Sequence, residues 1–483
     1  MPSRHLRLKP KPPEAADSVD AAVLQGLEAV RRELEVPDAF PTDVEAEAEG
    51  CARSPRMPDE DATQIPLVTI DPATSMDLDQ AVHVQRRGDG YRVHYAIADV
   101  SAYVSPDGAV DHEARRRVQT LYGPDRRTPL HPPMLSEDAT SLLPDRTRPA
   151  LLWEIDLDSA GLQIVASVRR AQVRSRAKLS YEEVQGRLDS GHADETLLLL
   201  REVGRLREEA ERARGGMTLP TPEQEVVRTN GDWALVNRGT LPIEGWNAQI
   251  SLLTGMAAAA MMLEGRVGVL RTLPRSDPRD VERLRRMAHA LRVDWPDGVS
   301  YQDFVRALDP QDPAHAALLS EATTLLRGAG YVAFDGAAPS EANHAAIAAP
   351  YAHATAPLRR LVDRFVGETC VALCGAGQVP DWVRAALASL PDIMAEGDRR
   401  AGAYERACID VVEAALLASR VGEQFRGVIV DVHDSKPYGV VQVEDPAANG
   451  RVNGENLPLG VDVLVRLVEA SVAARKVTFE IVR

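Results

Sequence analysis

Strand-like and helix-like periodicities occupy separate stretches of this sequence, and that separation is the strongest constraint on its fold. Apolar and polar residues alternate in short runs from residue 65 to about residue 174, and again in the last 60 residues. Between these blocks, residues 244 to about 424 repeat their apolar positions at helical spacing. Because strands and helices do not alternate regularly, the pattern predicts an α+β fold and not a parallel βαβ sheet.

The first β block contains clear turn and capping signals. Two alternating runs, AVHVQR and YRVHYAIADV, flank Gly88-Asp89-Gly90, which predicts a tight hairpin. The other elements expected here are strands at 151–158, 164–174 and 225–229, a helix capped by Ser180 and Glu183, a helix over 193–214 that ends at Gly215-Gly216, and a turn at Asn230-Gly231.

The second β block, residues 423–483, consists of four or five short strands separated by Gly, Pro and Asn. This number of strands in so short a segment is typical of a small, all-β barrel of the OB type. Such barrels often bind single-stranded nucleic acid. We therefore expect residues 423–483 to form an RNA-binding domain that follows a large α+β domain over residues 64–422.

Residues 1–63 precede the first β block and differ from it in pattern. A basic tail is followed by two helical segments, 19–34 and 43–52, which are joined by the Pro-punctuated turn VPDAFPT. This outline is compatible with a helix-turn-helix unit that reads nucleic acid. It is equally the outline of a helical arm that packs against the larger domain, which is the simpler interpretation.

Composition restricts the class of protein. Apolar residues make up 44% of the 483 residues, and no apolar run approaches the roughly 20 residues that a membrane span needs. The four cysteines lack the spacing of a secreted disulfide framework, which favours a cytoplasmic protein. The net charge of −16 argues against a duplex-binding protein, although a basic channel for RNA can coexist with an acidic surface.

The strongest chemical signal is the segment LVTIDPATSMDLDQA, in which a strand delivers Asp71 and a short loop returns Asp77 and Asp79 beside it. Three carboxylates this close repel one another unless cations neutralise them. Mg²⁺ prefers such oxygen ligands, and a pair of these ions can support displacement at a phosphodiester. A solvated acidic loop is the alternative, whereas an EF-hand is excluded because its glycine and closing glutamate are missing.

Two later segments supply further candidates. In PYAHATAPLRRLVDRFVGE, Pro357 predicts a first helical turn, which would place Arg359 at an anion-attracting helix start. Arg359 could instead be an ordinary residue of the helix surface. In GDRRAGAYERACIDVVEAALLASRV, Glu405 is flanked by arginines, and a solvated helix face is the favoured interpretation.

Together these segments resemble the RNB catalytic domain of the ribonuclease II and ribonuclease R family. The resemblance extends from about residue 40 to residue 420, with agreement in motif order and approximate spacing. The segments that carry it are FPTDVEAEAE, PLVTIDPATSMDLDQA, YAIADVSAYV, VDHEARRRVQTLYGPDRRTPLHPPMLSEDATSLLP, YAHATAPLRRLVDR and AYERACID.

The resemblance implies a processive hydrolytic exoribonuclease that degrades single-stranded RNA from its 3′ end to nucleoside 5′-monophosphates. It implies two bound Mg²⁺ ions, with Mn²⁺ as an alternative, and a monomeric enzyme. Asp71, Asp77 and Asp79 match the metal-binding aspartates of the family, and Asp79 and Arg359 match its catalytic positions. Tyr122 matches the tyrosine that stacks on the 3′ nucleotide, and Glu405 matches a glutamate of the substrate cavity.

The chain departs from the family pattern at several points. Gln80 replaces a fourth aspartate, so one negative charge is lost at a metal-ligand position, which predicts a raised Mg²⁺ requirement. The second aromatic of the base clamp has no counterpart over 247–294, and 60 N-terminal residues are too few for the family's cold-shock domains. A non-catalytic RNA-binding protein and a metal-dependent DNA nuclease are the alternative functions.

Overall fold

The computed structural model describes residues 18–219, 223–229, 232–433, 436–443 and 445–482. The basic tail predicted at the N-terminus and the turn predicted at Asn230-Gly231 lie outside these residues. None of the described helices is both long enough and apolar enough to cross a membrane.

The first half of the chain is built around an antiparallel sheet. Its elements are α1 (Ser18–Glu33), α2 (Thr42–Arg53), β1 (Thr69–Ile70), β2 (Gln80–Arg87), β3 (Gly90–Ala98), α3 (Ala109–Arg117), β4 (Leu121–Tyr122), β5 (Arg127–Thr128), β6 (Thr147–Leu157), β7 (Gln163–Arg174), β8 (Lys178–Leu179), α4 (Tyr181–Asp189) and α5 (Glu195–Arg214). The sheet has the order β2-β3-β6-β7. The hairpin predicted at residues 88–90 joins β2 to β3, and Gly88 has the positive φ of 61° that this turn requires.

The central region is mainly helical, as predicted, but it also contains short antiparallel pairs. Its elements are β9 (Glu223–Thr229), β10 (Asp232–Arg238), α6 (Pro242–Gly265), β11 (Val267–Thr272), α7 (Pro278–Ala290), α8 (Tyr301–Arg306), α9 (Pro313–Ala322), β12 (Gly330–Asp335), β13 (Asn343–His344), β14 (Ala349–Pro350), α10 (Leu361–Cys374), α11 (Asp381–Leu387) and α12 (Leu390–Leu417). β11 pairs with β12. α6 and α10 are buried in the same core as the main sheet, so helices cover one of its faces.

The last elements form a closed barrel, which confirms the predicted all-β architecture. They are β15 (Gln424–Val432), β16 (Tyr438–Val443), β17 (Asn449–Asn453), β18 (Asp462–Ser471) and β19 (Lys476–Ile481). The barrel has the order β15-β16-β17-β19-β18. Its apolar residues belong to one core with α1 and α12, so the barrel is packed directly onto these two helices.

The two N-terminal helices pack into different cores. Val23 and Leu27 of α1 are buried with α12 and the barrel, whereas Val44 and Ala48 of α2 are buried beside α3. A helix-turn-helix unit needs its two helices to share one small core. The packing therefore favours the interpretation of this segment as an arm that contacts the larger domain.

Candidate active site

The aspartates are brought together by strand pairing. β1 runs parallel to β8, and the Asp71 amide at its end donates to the Leu179 carbonyl oxygen at 3.1 Å. The following loop returns to the sheet, where the Asp79 carbonyl oxygen accepts from the Ala98 amide at 2.9 Å. Both anchors are backbone hydrogen bonds. The side chains between them are therefore placed by the sheet and not by a freely moving loop.

Arg359 and Asp79 are in direct contact although 280 residues separate them in the chain. The Arg359 Nε donates to Asp79 Oδ2 at 2.7 Å, and the Leu358 amide donates to Asp79 Oδ1 at 2.8 Å. Asp79 is only 2% exposed. This contact pairs the two residues that the family resemblance marks as catalytic.

The predicted helix start was wrong by several residues. Pro357 and Arg359 lie in a loop, and α10 begins at Leu361. The reason is long-range pairing: the Thr120 amide donates to the Arg359 carbonyl oxygen at 2.9 Å, and the Leu361 amide donates to the Val118 carbonyl oxygen at 2.9 Å. Residues 357–359 form an isolated turn, in which the Ala356 carbonyl oxygen accepts from the Arg359 amide at 3.0 Å and from the Arg360 amide at 2.9 Å. The extended backbone of Arg360 separates this turn from α10, so Arg359 lies outside the helix, where Asp79 and the neighbouring chain position it.

Arg127 is a site residue that the sequence analysis did not identify. Its Nη1 donates to Asp77 Oδ1 at 2.7 Å, and its Nη2 lies 2.6 Å from Glu137 Oε1. It pairs across the β4–β5 hairpin with Tyr122. The turn sequence GPDR predicts a hairpin, and a hairpin would have indicated Arg127, because cross-strand partners such as Tyr122 and Arg127 present their side chains on the same face.

Burial and mutual repulsion raise the pKa values of Asp71 and Asp79 in the acidic cluster. Burial, together with repulsion from Asp79 and Asp77, raises the pKa of Asp71 to about 7 against the opposing effect of Arg359. Burial likewise raises the pKa of Asp79 to about 6, with Arg359 again acting in the opposite direction. Carboxylates with raised pKa values in one buried place are strongly stabilised by an added cation.

The donor atoms suit a hard divalent ion, because they are carboxylate oxygens. As arranged, however, no three His, Cys, Asp or Glu side chains in the described part of the chain are grouped to hold a metal ion. Asp79 and Asp77 are engaged by Arg359 and Arg127. An ion bound by these two carboxylates would therefore share them with the guanidinium groups or displace those groups.

The side-chain amide oxygen of Gln80 contacts two hydroxyl groups of the protein. Its Oε1 lies within hydrogen-bonding distance of the Tyr95 hydroxyl and of Ser251 Oγ, the latter at 3.3 Å. The two hydroxyls are also 2.8 Å apart. Because each hydroxyl has one hydrogen, only two of these three contacts are hydrogen bonds at one time, so one lone pair of Gln80 Oε1 stays free when Ser251 donates to Tyr95.

Tyr122 lies beside the acidic cluster and keeps an accessible surface. Its side chain is 37% exposed. Burial of its hydroxyl raises the pKa of Tyr122 to about 12, while Arg359 lowers it and Asp77 raises it. These electrostatic neighbours place the hydroxyl near Arg359 and Asp77, while part of Tyr122 remains exposed to solvent.

Glu405 lies half-buried on α12, one residue after Tyr404. A Cβ built on Gly123 would lie 2.5 Å from the Tyr404 hydroxyl, so this part of α12 abuts the hairpin that carries Tyr122. The structure thus places Glu405 on a helix next to the site.

The arm helix α1 contacts the same hairpin. Buried Arg31, 5% exposed, forms an ion pair with Asp125 at the hairpin tip, and Arg126 contacts Asp38 at 2.9 Å. Near the other end of α1, Trp233 Nε1 donates a hydrogen bond to Asp20 Oδ1 at 2.7 Å. The arm is therefore tied to the element that carries both Tyr122 and Arg127.

We expect Arg31→Gln to disturb the site from a distance. Removing one partner of a buried ion pair costs about 3–5 kcal/mol, because Asp125 is left uncompensated. The expected result is a lower Tm. Thermal unfolding measures it, with Arg32→Gln on the exposed face of α1 as the matched control. An equal decrease in Tm in the two variants would contradict a specific role for Arg31.

Comparison with known proteins identifies the family. The RNB domain matches residues 59–372, and the RNase II-type exonuclease C-terminal S1 domain matches residues 423–482. Ribonuclease R of Escherichia coli strain K12 is 26% identical over an alignment that covers 93% of this chain and 61% of that protein. The chain thus spans about three fifths of the length of this relative.

Solved structures agree on the fold. Mycoplasma genitalium RNase R in complex with ribose methylated single-stranded RNA gives a TM-score of 0.84 at 20% identity, covering 95% of this chain and 78% of that one. Yeast Ssd1, described as a pseudonuclease, gives a TM-score of 0.70 at 17% identity. The match covers 91% of this chain and 57% of the Ssd1 chain. From the domain matches, the chain belongs to the RNB-domain family of the ribonuclease II and ribonuclease R type.

Proposed function

We propose that this protein is a hydrolytic exoribonuclease that degrades single-stranded RNA processively from the 3′ end and releases nucleoside 5′-monophosphates. The observation that carries the proposal is the contact between Arg359 and Asp79, beside Asp71, Asp77 and exposed Tyr122. The similarity to ribonuclease R of E. coli supports the same activity. We also propose that residues 64–422 form the catalytic domain, 423–483 the RNA-binding barrel and 1–63 the arm.

Each side chain has a defined task in this proposal. Asp71, Asp77 and Asp79 would hold two Mg²⁺ ions, or Mn²⁺, which when bound lower the pKa of a water and support the departing oxygen. Arg359 would transfer its guanidinium from Asp79 to the scissile phosphate, where a forked donor neutralises developing charge. Tyr122 would stack on the terminal base.

The remaining predicted residues have supporting tasks. Glu405 would line the substrate cavity from α12. Gln80 would act as a weak ligand, in competition with the hydroxyls of Tyr95 and Ser251 for its carbonyl oxygen. Because the metal site keeps one carboxylate fewer than the family pattern, we expect it to hold a divalent ion less tightly.

A cleavage assay with matched polymers tests the proposal. Single-stranded RNA and DNA of the same sequence, each labelled at the 5′ end, are incubated with protein and either Mg²⁺ or a chelator. We expect a stepwise ladder that shortens from the 3′ end for RNA with Mg²⁺, and an intact polymer in the other three reactions. Equal degradation of DNA would instead favour the metal-dependent DNA nuclease.

A non-catalytic RNA-binding protein is the second candidate, and two observations favour it. Gln80 stands in place of a carboxylate of the family pattern, and Arg127 is paired with Asp77 of the cluster at 2.7 Å. In the same assay this function predicts intact RNA in all reactions, together with measurable RNA binding by filter retention.

We expect Gln80→Asp to lower the Mg²⁺ concentration needed for half-maximal cleavage by about tenfold, because one added charge strengthens a divalent site. The Tyr95 and Ser251 hydroxyls can donate to the new carboxylate, so the fold should accommodate it. Mg²⁺ titrations of the cleavage rate provide the measurement, and Gln85→Asp, exposed on the same strand, is the control. An unchanged Mg²⁺ requirement would count against the weak-site interpretation.

We expect Tyr122→Ala to change the final product more than the overall rate. Loss of stacking removes about 1–3 kcal/mol of base binding, so the last nucleotides should be released earlier and the end product should be longer. Sequencing gels of limit digests provide the measurement. Tyr122→Phe keeps the ring and should retain the wild-type product length, and a longer product from this control too would assign the effect to the hydroxyl.

A further inference from the structure

A second concave site lies away from the aspartate cluster. It is a cavity of about 370 Å³ whose lining includes Arg56, Arg170, Arg364, Glu368, Trp382 and Met57, and we call it the Arg56 cavity. None of its lining residues belongs to the proposed catalytic set. Its volume lies within the range of about 300–1,000 Å³ that small-molecule pockets occupy.

Two arginines of the cavity converge on the same short turn. Arg364, which is 4% exposed, donates from Nε to Ser101 Oγ at 3.1 Å and from Nη2 to the Val104 carbonyl oxygen at 2.8 Å. Arg56 donates from Nη2 to the Ser101 carbonyl oxygen and to the same Val104 oxygen at 3.5 Å. Two guanidinium groups that share one acceptor repel each other, and a bound anion would relieve this repulsion.

The charges of the lining are only partly balanced. Arg364 is paired with Asp111 at 2.6 Å, and Arg170 is paired with Asp99 and Glu368. The hydrogen bonds of Arg56 in the described part of the chain end on Ser105 Oγ and on backbone carbonyl oxygens. Among the residues that the structure describes, Arg56 is thus the cation of the lining that has no carboxylate partner, and it is exposed to solvent.

The cavity also has an apolar wall. Trp382 lies against the Arg364 guanidinium, with 4.8 Å between the Cζ atom and the ring centroid, and Met57 is 41% exposed. Guanidinium groups that line the same cavity as an aromatic and a thioether side chain suit a ligand with a phosphate and an uncharged body. We propose that the Arg56 cavity binds a small phosphomonoester, up to the size of a nucleoside monophosphate.

Equilibrium dialysis with radiolabelled adenosine monophosphate tests this proposal on the full chain, in chelator so that no cleavage occurs. We expect saturable binding that Arg56→Gln weakens by about tenfold, which corresponds to the loss of one charge-assisted contact. Arg56→Lys should restore part of the affinity. Arg53→Gln is the matched control, because Arg53 is exposed on the preceding helix and pairs with Glu49 outside the cavity.

Competing ligands and the variant Tyr122→Ala show which part of the nucleotide is recognised and at which site it binds. Ribose 5-phosphate and inorganic phosphate should displace the nucleotide, whereas adenosine should not. Tyr122→Ala should retain the binding. Absence of binding at millimolar nucleotide, an unchanged affinity in Arg56→Gln, or displacement by adenosine would each overturn the proposal. Loss of binding in Tyr122→Ala alone would place the nucleotide at the aspartate cluster and would overturn it as well. These results do not depend on the proposed exoribonuclease activity.

Discussion

Replacing Asp79 with asparagine should reduce RNA cleavage by about 10³-fold or more, within the range found when a charged or electrostatic group of an active site is removed. Asp79 is 2% exposed and accepts hydrogen bonds from both Arg359 and the Leu358 amide. Asparagine keeps the acceptor for the amide but removes the charge that Arg359 and a divalent ion would share. RNA binding should remain, because the substitution removes a negative charge from the phosphate site.

Single-turnover cleavage of 5′-labelled RNA and filter binding measure the two effects separately. Asp89→Asn, in the exposed turn between β2 and β3, is the matched control and should behave as wild type. Near-normal cleavage by Asp79→Asn would remove the central argument for the proposed function. Loss of both binding and cleavage, with a lower Tm, would indicate a structural defect instead.

Replacing Arg359 with glutamine should reduce cleavage by about 10²–10³-fold, because the scissile phosphate loses its forked donor. It should also change the pH profile. Arg359 lowers the pKa of both Asp71 and Asp79. Without it both pKa values rise, the carboxylates are protonated up to a higher pH, and the acidic limb of the rate profile should move to higher pH.

Rates measured from pH 5.5 to 9 test this effect, at a fixed and saturating Mg²⁺ concentration. Arg359→Lys retains the charge but not the forked geometry, so we expect a slow enzyme whose acidic limb stays close to that of wild type. If Arg359→Gln lost activity without any change in the shape of its profile, the guanidinium would act on the phosphate alone and not on the aspartates.

Local sequence signals predicted individual elements in the first half of the chain and in the C-terminal barrel. The hairpin at residues 88–90, the helix that begins after Ser180 and the helix that ends at Gly215 all agree with the structure, as does the C-terminal barrel. These features depend on periodicity, turn residues and caps within a few positions, so neighbouring residues in the chain are enough to specify them.

Local signals failed where distant chain segments compete for the same backbone groups. Pro357 satisfies the rules for a helix start, yet the Arg359 carbonyl oxygen and the Leu361 amide are bonded to the strand-like segment around Val118. The hydroxyls of Tyr95 and Ser251, from another strand and a helix, likewise lie within hydrogen-bonding distance of the carbonyl oxygen of Gln80. Such bonds cannot be read from the spacing of the residues that make them.

The sequence by itself determined the α+β class, the barrel and the identity of Asp71, Asp77, Asp79, Tyr122 and Arg359 as candidates. Only the tertiary structure decided that Arg359 contacts Asp79 across 280 residues, that Arg127 neutralises Asp77, and that α1 holds the hairpin tip. The physical reason is the different range of the interactions along the chain. Periodicity and capping act over a few residues, whereas ion pairs and buried carboxylates depend on which segments the folded chain brings into contact.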